Sequence, residues 1–252
     1  MVRILRRLST KILWLVCTTG FALRALAVQE APASRLAPDP ATTPDAVVQV
    51  YAARTMGLKG LFGVHTWVAA KPAGAQSFTV YEVIGWRLRR GESPVVIRER
   101  APDARWFGAE PELIADRRGA GVEPLIPRIE KAARDYPWAN EYTVWPGPNS
   151  NTFTAWIARA VPELQIDLPA TAIGKDYLGS LFGSAPSGKG FQLSLFGLLG
   201  FAVSGVDGLE VNLLGLNFGL NPFDFSLKLP IVGRLGPSRS FGLPESPGAP
   251  IP

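Results

Sequence analysis

The chain has little of the two side chains that most often carry catalysis and metal binding. Of its 252 residues only one is cysteine, Cys17, and only one is histidine, His65. One cysteine excludes an intramolecular disulfide, and the sequence after Cys17 holds no thiolate nucleophile and no cysteine-type metal site. One histidine excludes a histidine-rich metal site. We expect neither metal nor cofactor, and a fold held by a packed core, which a 47% apolar composition allows.

The charge gives no indication of nucleic-acid binding. The chain has 26 Lys and Arg against 21 Asp and Glu, a formal net charge of +5. Residues 1–27 hold five of the bases and no acid, which leaves 21 bases against 21 acids in the rest. The excess of positive charge therefore belongs to the N-terminal segment and is no electrostatic footprint for a nucleic acid.

The N-terminal segment has the parts of an export signal. Arg3, Arg6, Arg7 and Lys11 precede an apolar run over 12–23, and Ala25-Leu26-Ala27 follows. This order predicts that 1–27 is a signal peptide or a membrane anchor. The run is shorter than the roughly 20 residues of a spanning helix, which favours a cleaved signal. Arg24 beside the cleavage site favours the anchor. Either alternative predicts a cell-envelope protein, periplasmic or anchored in the inner membrane through its N-terminus.

Composition and periodicity divide the remaining chain into four parts. Residues 28–44, rich in Ala and Pro, are predicted to be a linker, and 236–252, rich in Pro, Gly and Ser, a disordered tail. Residues 45–180 mix strand and helix patterns, and 186–235 are β-rich. The sequence therefore predicts an α+β fold extended by a C-terminal antiparallel β meander.

Local patterns predict the individual elements. Strands are expected at 47–51, 61–70, 77–88 and 95–98, with the second and third joined as a hairpin, and 141–145 is expected to be extended. Helices are expected at 123–134 and 150–161. Residues 103–118, with charges of both signs, are interpreted as surface. Alternation over 191–195, 209–213 and 223–229 predicts meander strands with one buried face.

Chemistry concentrates in Tyr142–Phe153, where a turn containing Pro146 and Pro148 opens a helix. In one interpretation Asn149 or Ser150 caps this helix. In the other, Ser150 is a nucleophile, His65 is its base, and backbone N–H groups near Asn151 hold the oxyanion. A base needs an orienting partner, which would be Glu82, or Tyr81 if the hairpin register shifts by one residue.

These residues carry a resemblance to a known family. His65-Thr66-Trp67, Tyr142–Trp145 and the run from Gly147 to Phe153 resemble the bacterial domain-of-unknown-function 3750 family, as do Leu168-Pro169 and Gly174–Tyr177. Asn149-Ser150-Asn151-Thr152-Phe153 is also similar to the Asn-Cys-Asn-Thr-Phe motif of circularly permuted, papain-like, lecithin:retinol acyltransferase-like proteins. That resemblance implies a permuted papain-like antiparallel sheet with helices, with Ser150 in the cysteine position. Serine there implies either a serine variant or a former active site kept for binding.

Two functional hypotheses follow. The first is a non-catalytic binding or structural protein of the envelope on a papain-like scaffold, with Asn149, Asn151, Tyr142 and Trp145 as candidate ligand-binding residues. The alternative is an envelope hydrolase or acyl or peptidyl transferase that uses Ser150, His65 and Glu82. The partner would be an envelope peptide, a glycan or a lipid, and the apolar C-terminal sheet is a second surface for a partner or lipid.

Overall fold

The first sheet is a five-stranded antiparallel layer built early in the chain. A computed structural model describes residues 35–237, so the predicted signal or anchor (1–27) and most of the predicted tail (238–252) lie outside the described residues. The strand order is β4-β3-β2-β1-β5. The strands are β1 (Val47–Arg54), β2 (Val64–Lys71), β3 (Thr79–Val83), β4 (Val95–Glu99) and β5 (Pro111–Arg118).

Two α-helices cover one face of this sheet. They are α1 (Ile126–Arg134) and α2 (Ser150–Ala160), and four short 3-10 helices flank the elements (Gly57–Leu61, Gly85–Arg90, Glu123–Leu125 and Pro162–Leu164). In α1 the buried residues Ile126, Ile129, Ala132 and Ala133 recur at helical spacing, which gives the helix its apolar stripe. Within residues 35–237 no helix is both long and apolar enough to cross a membrane.

The main core lies between the helices and this sheet. Alternate residues of β1 and β2, including Val48, Val50 and Val68, pack against Phe153 and Ile157 of α2. The other residues of the same strands, including Tyr51 and Trp67, form a smaller core on the opposite face. Because side chains alternate along a strand, neighbouring residues of β2 contribute to different cores.

The second sheet is a seven-stranded antiparallel meander. Its strands follow one another in sequence order. They are β6 (Phe182–Gly183), β7 (Phe191–Leu195), β8 (Leu199–Ser204), β9 (Gly208–Leu213), β10 (Leu216–Asn221), β11 (Ser226–Leu229) and β12 (Gly233–Leu235). The predicted α+β fold with a C-terminal meander is therefore confirmed.

Several local predictions differ from the structure. The expected strand over 77–88 ends at Val83, and the chain continues as a 3-10 helix over Gly85–Arg90. The predicted extended segment 141–145 pairs with no strand among the described residues, and its Tyr142 ring packs so tightly on Gly85 that a Cβ there would lie 2.3 Å from it. Part of the predicted surface segment, Pro111–Arg118, is the edge strand β5, whose Arg117 donates to the Leu164 carbonyl.

A buried ionic cluster joins the meander to the rest of the molecule. Lys228 Nζ lies 2.6 Å from Glu210 Oε1 and also binds Asp167, while Lys175 binds Glu210 from the other side. Burial would raise the pKa of Glu210, but the two ammonium groups outweigh it and lower the pKa to about 2. Asp167, Asp207 and Glu210 have the close spacing of a cation site, but Lys228 already binds two of these carboxylates.

Candidate functional site

Asn149 fixes the N-terminus of α2. Its Oδ1 accepts from the backbone N–H groups of Asn151 (2.9 Å) and Thr152 (3.2 Å), and the Thr152 hydroxyl accepts from the Asn149 N–H. Its Nδ2 donates to the carbonyls of Val144 and Ile173, both at 3.0 Å. The side chain therefore caps the helix and ties it to two loops, so the capping interpretation of Asn149 describes what the side chain does.

Asn151 joins the same helix to the sheet. Its Nδ2 donates to the carbonyls of Val64 (3.0 Å) and Ile173 (2.8 Å), and its Oδ1 accepts from the Thr66 hydroxyl at 3.0 Å. Because its own N–H is bound by Asn149, Asn151 offers no free donor for an oxyanion. The polar groups of Asn149 and Asn151 that we predicted would bind a ligand are occupied by the protein itself.

Ser150, between these two residues, is different. Its side chain is only 4% exposed, and among residues 35–237 neither its hydroxyl nor its N–H has a hydrogen-bond partner. The hydroxyl is not among the fully buried side-chain atoms that lack a partner, and the N–H of the first residue of a helix is normally open, so both donors are available to an acceptor in solution or in a ligand. Both sit at the N-terminus of an eleven-residue helix, where the dipole favours a negative or partly negative group.

His65 is held by a buried carboxylate. Its Nε2 lies 3.4 Å from Glu82 Oε2, and Arg100 contacts the same carboxylate at 3.3 Å and 3.4 Å. Burial would raise the pKa of Glu82, but His65 and Arg100 together lower it to about 2. Burial also lowers the pKa of His65, more than Glu82 raises it. The pair is therefore an ionised glutamate that accepts from Nε2–H of a neutral imidazole.

The imidazole is also fixed by aromatic rings. The His65 ring stacks on Trp106 with centroids 3.6 Å apart and planes within 10°, and it stacks on Trp67 at 5.6 Å. Only 4% of His65 is exposed. Stacking on both neighbours and the Glu82 hydrogen bond hold the ring in one orientation, as the orienting partner of a base would.

His65 points away from the face of the sheet that α2 covers. Val64 packs in the core beneath α2, and the Thr66 hydroxyl lies 2.9 Å from that of Thr154 in the same helix. His65, between them in β2, points the other way, towards Trp67 and Trp106. Within the described chain no hydrogen bond joins the Ser150 hydroxyl to His65. The geometry brings Glu82 to His65, and Ser150 makes no direct hydrogen bond to either of them within the described residues.

A cavity of about 1080 Å³ nevertheless reaches both residues at the end of the sheet. Its volume is slightly above the roughly 300–1,000 Å³ of typical small-molecule sites. Aromatic and aliphatic side chains form most of its wall. They are Met56, Leu58, Phe62, Trp86, Leu88, Trp106, Phe107, Tyr142, Val144, Trp145 and Ile173.

The charges on the cavity wall have one sign. Lys59 and Arg89 line it, and no aspartate or glutamate does. Neither cation forms an ion pair with any residue in 35–237. The wall therefore offers two free positive charges and the Ser150 donors to an otherwise apolar space, which suits an amphipathic ligand with a negative or carbonyl-bearing end.

The comparisons with known proteins identify the family. Residues 45–177, more than half of the chain, match the family model described as "Protein of unknown function (DUF3750)". The chain belongs to this family. The match contains β1 to β5, both α-helices and every wall residue of the cavity. No curated protein and no solved structure matches the chain. The family resemblance seen in the sequence is confirmed, and the more distant similarity to papain-like proteins is not.

The structure brings some of the predicted site residues together. Ser150, His65, Tyr142, Trp145, Asn149 and Asn151 all line the cavity, and Glu82 contacts His65 from behind. Tyr81, the alternative partner of His65, packs in the helix-side core. Sequence reasoning missed Arg100, which neutralises Glu82, and the cavity cations Lys59 and Arg89. The cluster Arg87–Arg90 was visible in the sequence, but nothing in it separates Arg89 from its neighbours.

Proposed function

We propose that this protein is a non-catalytic binding protein of the cell envelope whose cavity holds an amphipathic, lipid-like ligand. The observation that carries the proposal is the cavity wall. It is mostly apolar and aromatic and free of acids, and its polar groups include Lys59, Arg89 and the Ser150 donors. An acyl or similar chain would fill the apolar space, and an acidic or ester head would meet Ser150 and the cations. The envelope location rests on the sequence of residues 1–27.

A lipid-like ligand fits this wall better than a glycan. Exposed Trp86 and Trp145 would suit sugar stacking, but sugars also need many hydrogen-bonding side chains. Here the side-chain amides of Asn149 and Asn151 are already hydrogen-bonded to other groups of the protein. The Trp145 indole N–H likewise donates to the Leu214 carbonyl at 2.9 Å. The remaining surface is aliphatic, as at the exposed Leu58 and Val144.

Catalysis by Ser150 is the weaker hypothesis. A serine hydroxyl needs a base in contact with it, because unlike a thiol it is not ionised near neutral pH. His65, the sole histidine of the chain, makes no hydrogen bond to Ser150 among the described residues. The cavity places no carboxylate at Ser150 either. Ser150 is therefore interpreted as a binding donor.

Ligand binding is tested by titration with decyl phosphate and with 1-decanol, followed by tryptophan fluorescence, since Trp86, Trp106 and Trp145 line the cavity. We expect both to bind. Arg89→Gln should weaken decyl phosphate binding about 2- to 5-fold, and together with Lys59→Gln about 5- to 30-fold, with 1-decanol binding unchanged. Arg90→Gln is the matched control, because Arg90 neighbours Arg89 but does not line the cavity.

Two results would refute the proposal. One is the absence of any fluorescence change with either ligand. The other is turnover of p-nitrophenyl esters by the wild-type protein that Ser150→Ala abolishes while the protein stays folded. The second result would establish the serine hydrolase in its place.

A further inference from the structure

The C-terminal sheet has its polar face inside and its apolar face outside. Along β9 and β10, the inward residues Glu210, Asn212 and Asn217 are at most 4% exposed, whereas the outward residues Val211 and Phe218 are over 40% exposed. A sheet that packs on a protein core normally does the reverse. The alternation predicted from the sequence is present, but the buried side is the hydrophilic one.

The polar side chains of the sheet are turned inward because they bind polar groups on the rest of the molecule. Asp176 receives hydrogen bonds from Gln192 (2.8 Å), Asn212 (3.1 Å) and Asn217 (2.7 Å). Lys228 adds its ion pair to Glu210 within the same layer. These contacts fix which face of the sheet is turned inward, so the apolar face cannot turn inward without breaking a network of buried charges.

The outward face is a continuous apolar layer. Strand pairing aligns its side chains into three rows that run across the sheet. The first row is Phe191, Val203, Leu209, Leu220, Leu227 and Leu235; the second is Phe182, Leu193, Phe201, Val211 and Phe218; the third is Leu195, Leu199, Leu213 and Leu216. No charged side chain of β6 to β12 lies in any of the three rows.

The hairpin turns at one end of the sheet extend this layer. Phe196 and Leu214 are 68% and 64% exposed, and both have left-handed backbone conformations, with φ of 53°. Asn or Gly is the usual residue at such hairpin positions, because large apolar side chains are disfavoured there. The Phe196 and Leu214 side chains are not buried by the chain itself. Their presence at these positions therefore indicates that a partner covers them.

The size of the face matches a stable protein interface. Thirteen large apolar strand residues on it are 39% to 58% exposed. With about half of each side chain accessible, they offer on the order of 1000 Å². That is more than the roughly 300–600 Å² of the largest apolar patch on a typical monomer, and it exceeds the roughly 800 Å² that each partner contributes to a stable complex.

The composition indicates another protein sheet as the partner, and not a lipid surface. Residues 182–237 contain no Trp or Tyr, the residues typical of membrane interfaces, and their three bases are balanced by three acids. Leu, Phe and Val without charge are the composition of a protein core cut in half. A flat sheet of this kind packs well on another sheet at about 10 Å.

We propose that this face packs against the same face of a second copy of the chain, so that two C-terminal meanders form one β-sandwich across a two-fold axis. Such an interface is self-complementary, and each copy supplies the apolar layer that the other lacks. Residues 238–252, which follow the meander, are poorly suited to cover this apolar face, because they contain four prolines and few apolar residues. The proposal is independent of the ligand assigned to the cavity.

Sedimentation equilibrium of the full-length chain tests the proposal. We expect twice the monomer mass of 27.1 kDa. Val211→Glu, at the centre of the face, should weaken dimerisation about 100-fold or more, since each partner would bury a charge. Val211 is already 47% exposed in the single chain, so circular dichroism should show the variant folded. Leu61→Glu, also apolar and 53% exposed but outside both the sheet and the cavity wall, should remain dimeric.

Cross-linking supplies a second measurement. In a Cys17→Ser background, Val211→Cys places the only thiol on the central strand, near a two-fold axis, so a short bis-maleimide should give a covalent dimer. Ala73→Cys, in the exposed β2–β3 turn, should not. The proposal is overturned if the wild-type chain is still a monomer at a concentration 100-fold above that of the first sedimentation experiment. It is also overturned if Val211→Glu leaves the measured mass unchanged. A monomer that floats with phosphatidylcholine–phosphatidylglycerol vesicles through this face likewise overturns it and would identify a lipid surface instead.

Discussion

Asn149 and Ser150 are neighbours, but replacing each with alanine should affect the stability of the protein differently. Replacing Asn149 with Ala removes the acceptor of two helix N–H groups and the donor to the Val144 and Ile173 carbonyls. Loss of the cap costs about 1 kcal/mol. The lost donation to the Val144 carbonyl costs about 1 kcal/mol more, whereas the Ile173 carbonyl still accepts from Asn151 Nδ2. The free energy of unfolding should therefore fall by about 2 kcal/mol.

Ser150→Ala is the matched control at the next position. It has the same low exposure, but its hydroxyl has no hydrogen-bond partner within residues 35–237, so its removal costs no bond. Alanine is also the better helix former. The change should stay within about 0.5 kcal/mol of the wild-type stability, in either direction.

Urea unfolding, followed by tryptophan fluorescence and extrapolated to zero denaturant, measures both variants. A loss of 2 kcal/mol or more in Ser150→Ala would mean that the hydroxyl is structural, and the assignment of Ser150 to ligand binding would be wrong. A loss below 1 kcal/mol in Asn149→Ala would show that the helix N-terminus is held by other contacts. Asn149→Asp keeps the acceptor but loses both donations, so its stability should fall between the two.

Two further predictions concern His65 and the support of the cap. Because burial lowers the folded-state pKa of His65, unfolding is coupled to its protonation below the unfolded value of about 6.5. The wild type should therefore lose more stability than His65→Gln between pH 7 and pH 5 in urea unfolding, and equal losses would contradict a buried neutral imidazole. Gly174→Ala would place a Cβ 2.4 Å from Asn149 Nδ2 at a φ of +99°, so thermal unfolding should show a loss of about 2 kcal/mol or more. Gly205→Ala, whose added Cβ would meet no atom within 4 Å, should be nearly neutral.

Local patterns in the sequence were sufficient for many of the elements. The helix beginning at Ser150 follows from an Asn cap and the apolar spacing of Phe153, Trp156 and Ile157, and its observed start is the predicted one. Period-two alternation placed strands β7, β9 and β11. The edge strand β5 was missed, because its burial does not alternate regularly and its charged residues suggest surface. Its place in the sheet comes from pairing with β1, which is distant in the sequence.

Tertiary structure decided what the candidate site can do. The sequence singled out Ser150, His65 and Glu82, and the hairpin register does place Glu82 beside His65. The sequence could not show which residues of β2 face the helix that begins at Ser150. They are Val64 and Thr66, and not His65. Because β2 has apolar residues on both of its faces, its sequence pattern does not indicate which face packs against the helix.

The N-terminal export pattern, the absence of thiol chemistry after Cys17 and the family follow from the sequence alone, because they depend on which residues are present and on short spacings. The orientation of the C-terminal sheet does not. An alternating strand has the same pattern whichever face is buried. Here Asp167, Lys175 and Asp176, which lie outside the meander strands, bind the polar side chains. Buried charges must be paired, and that requirement leaves the apolar face exposed.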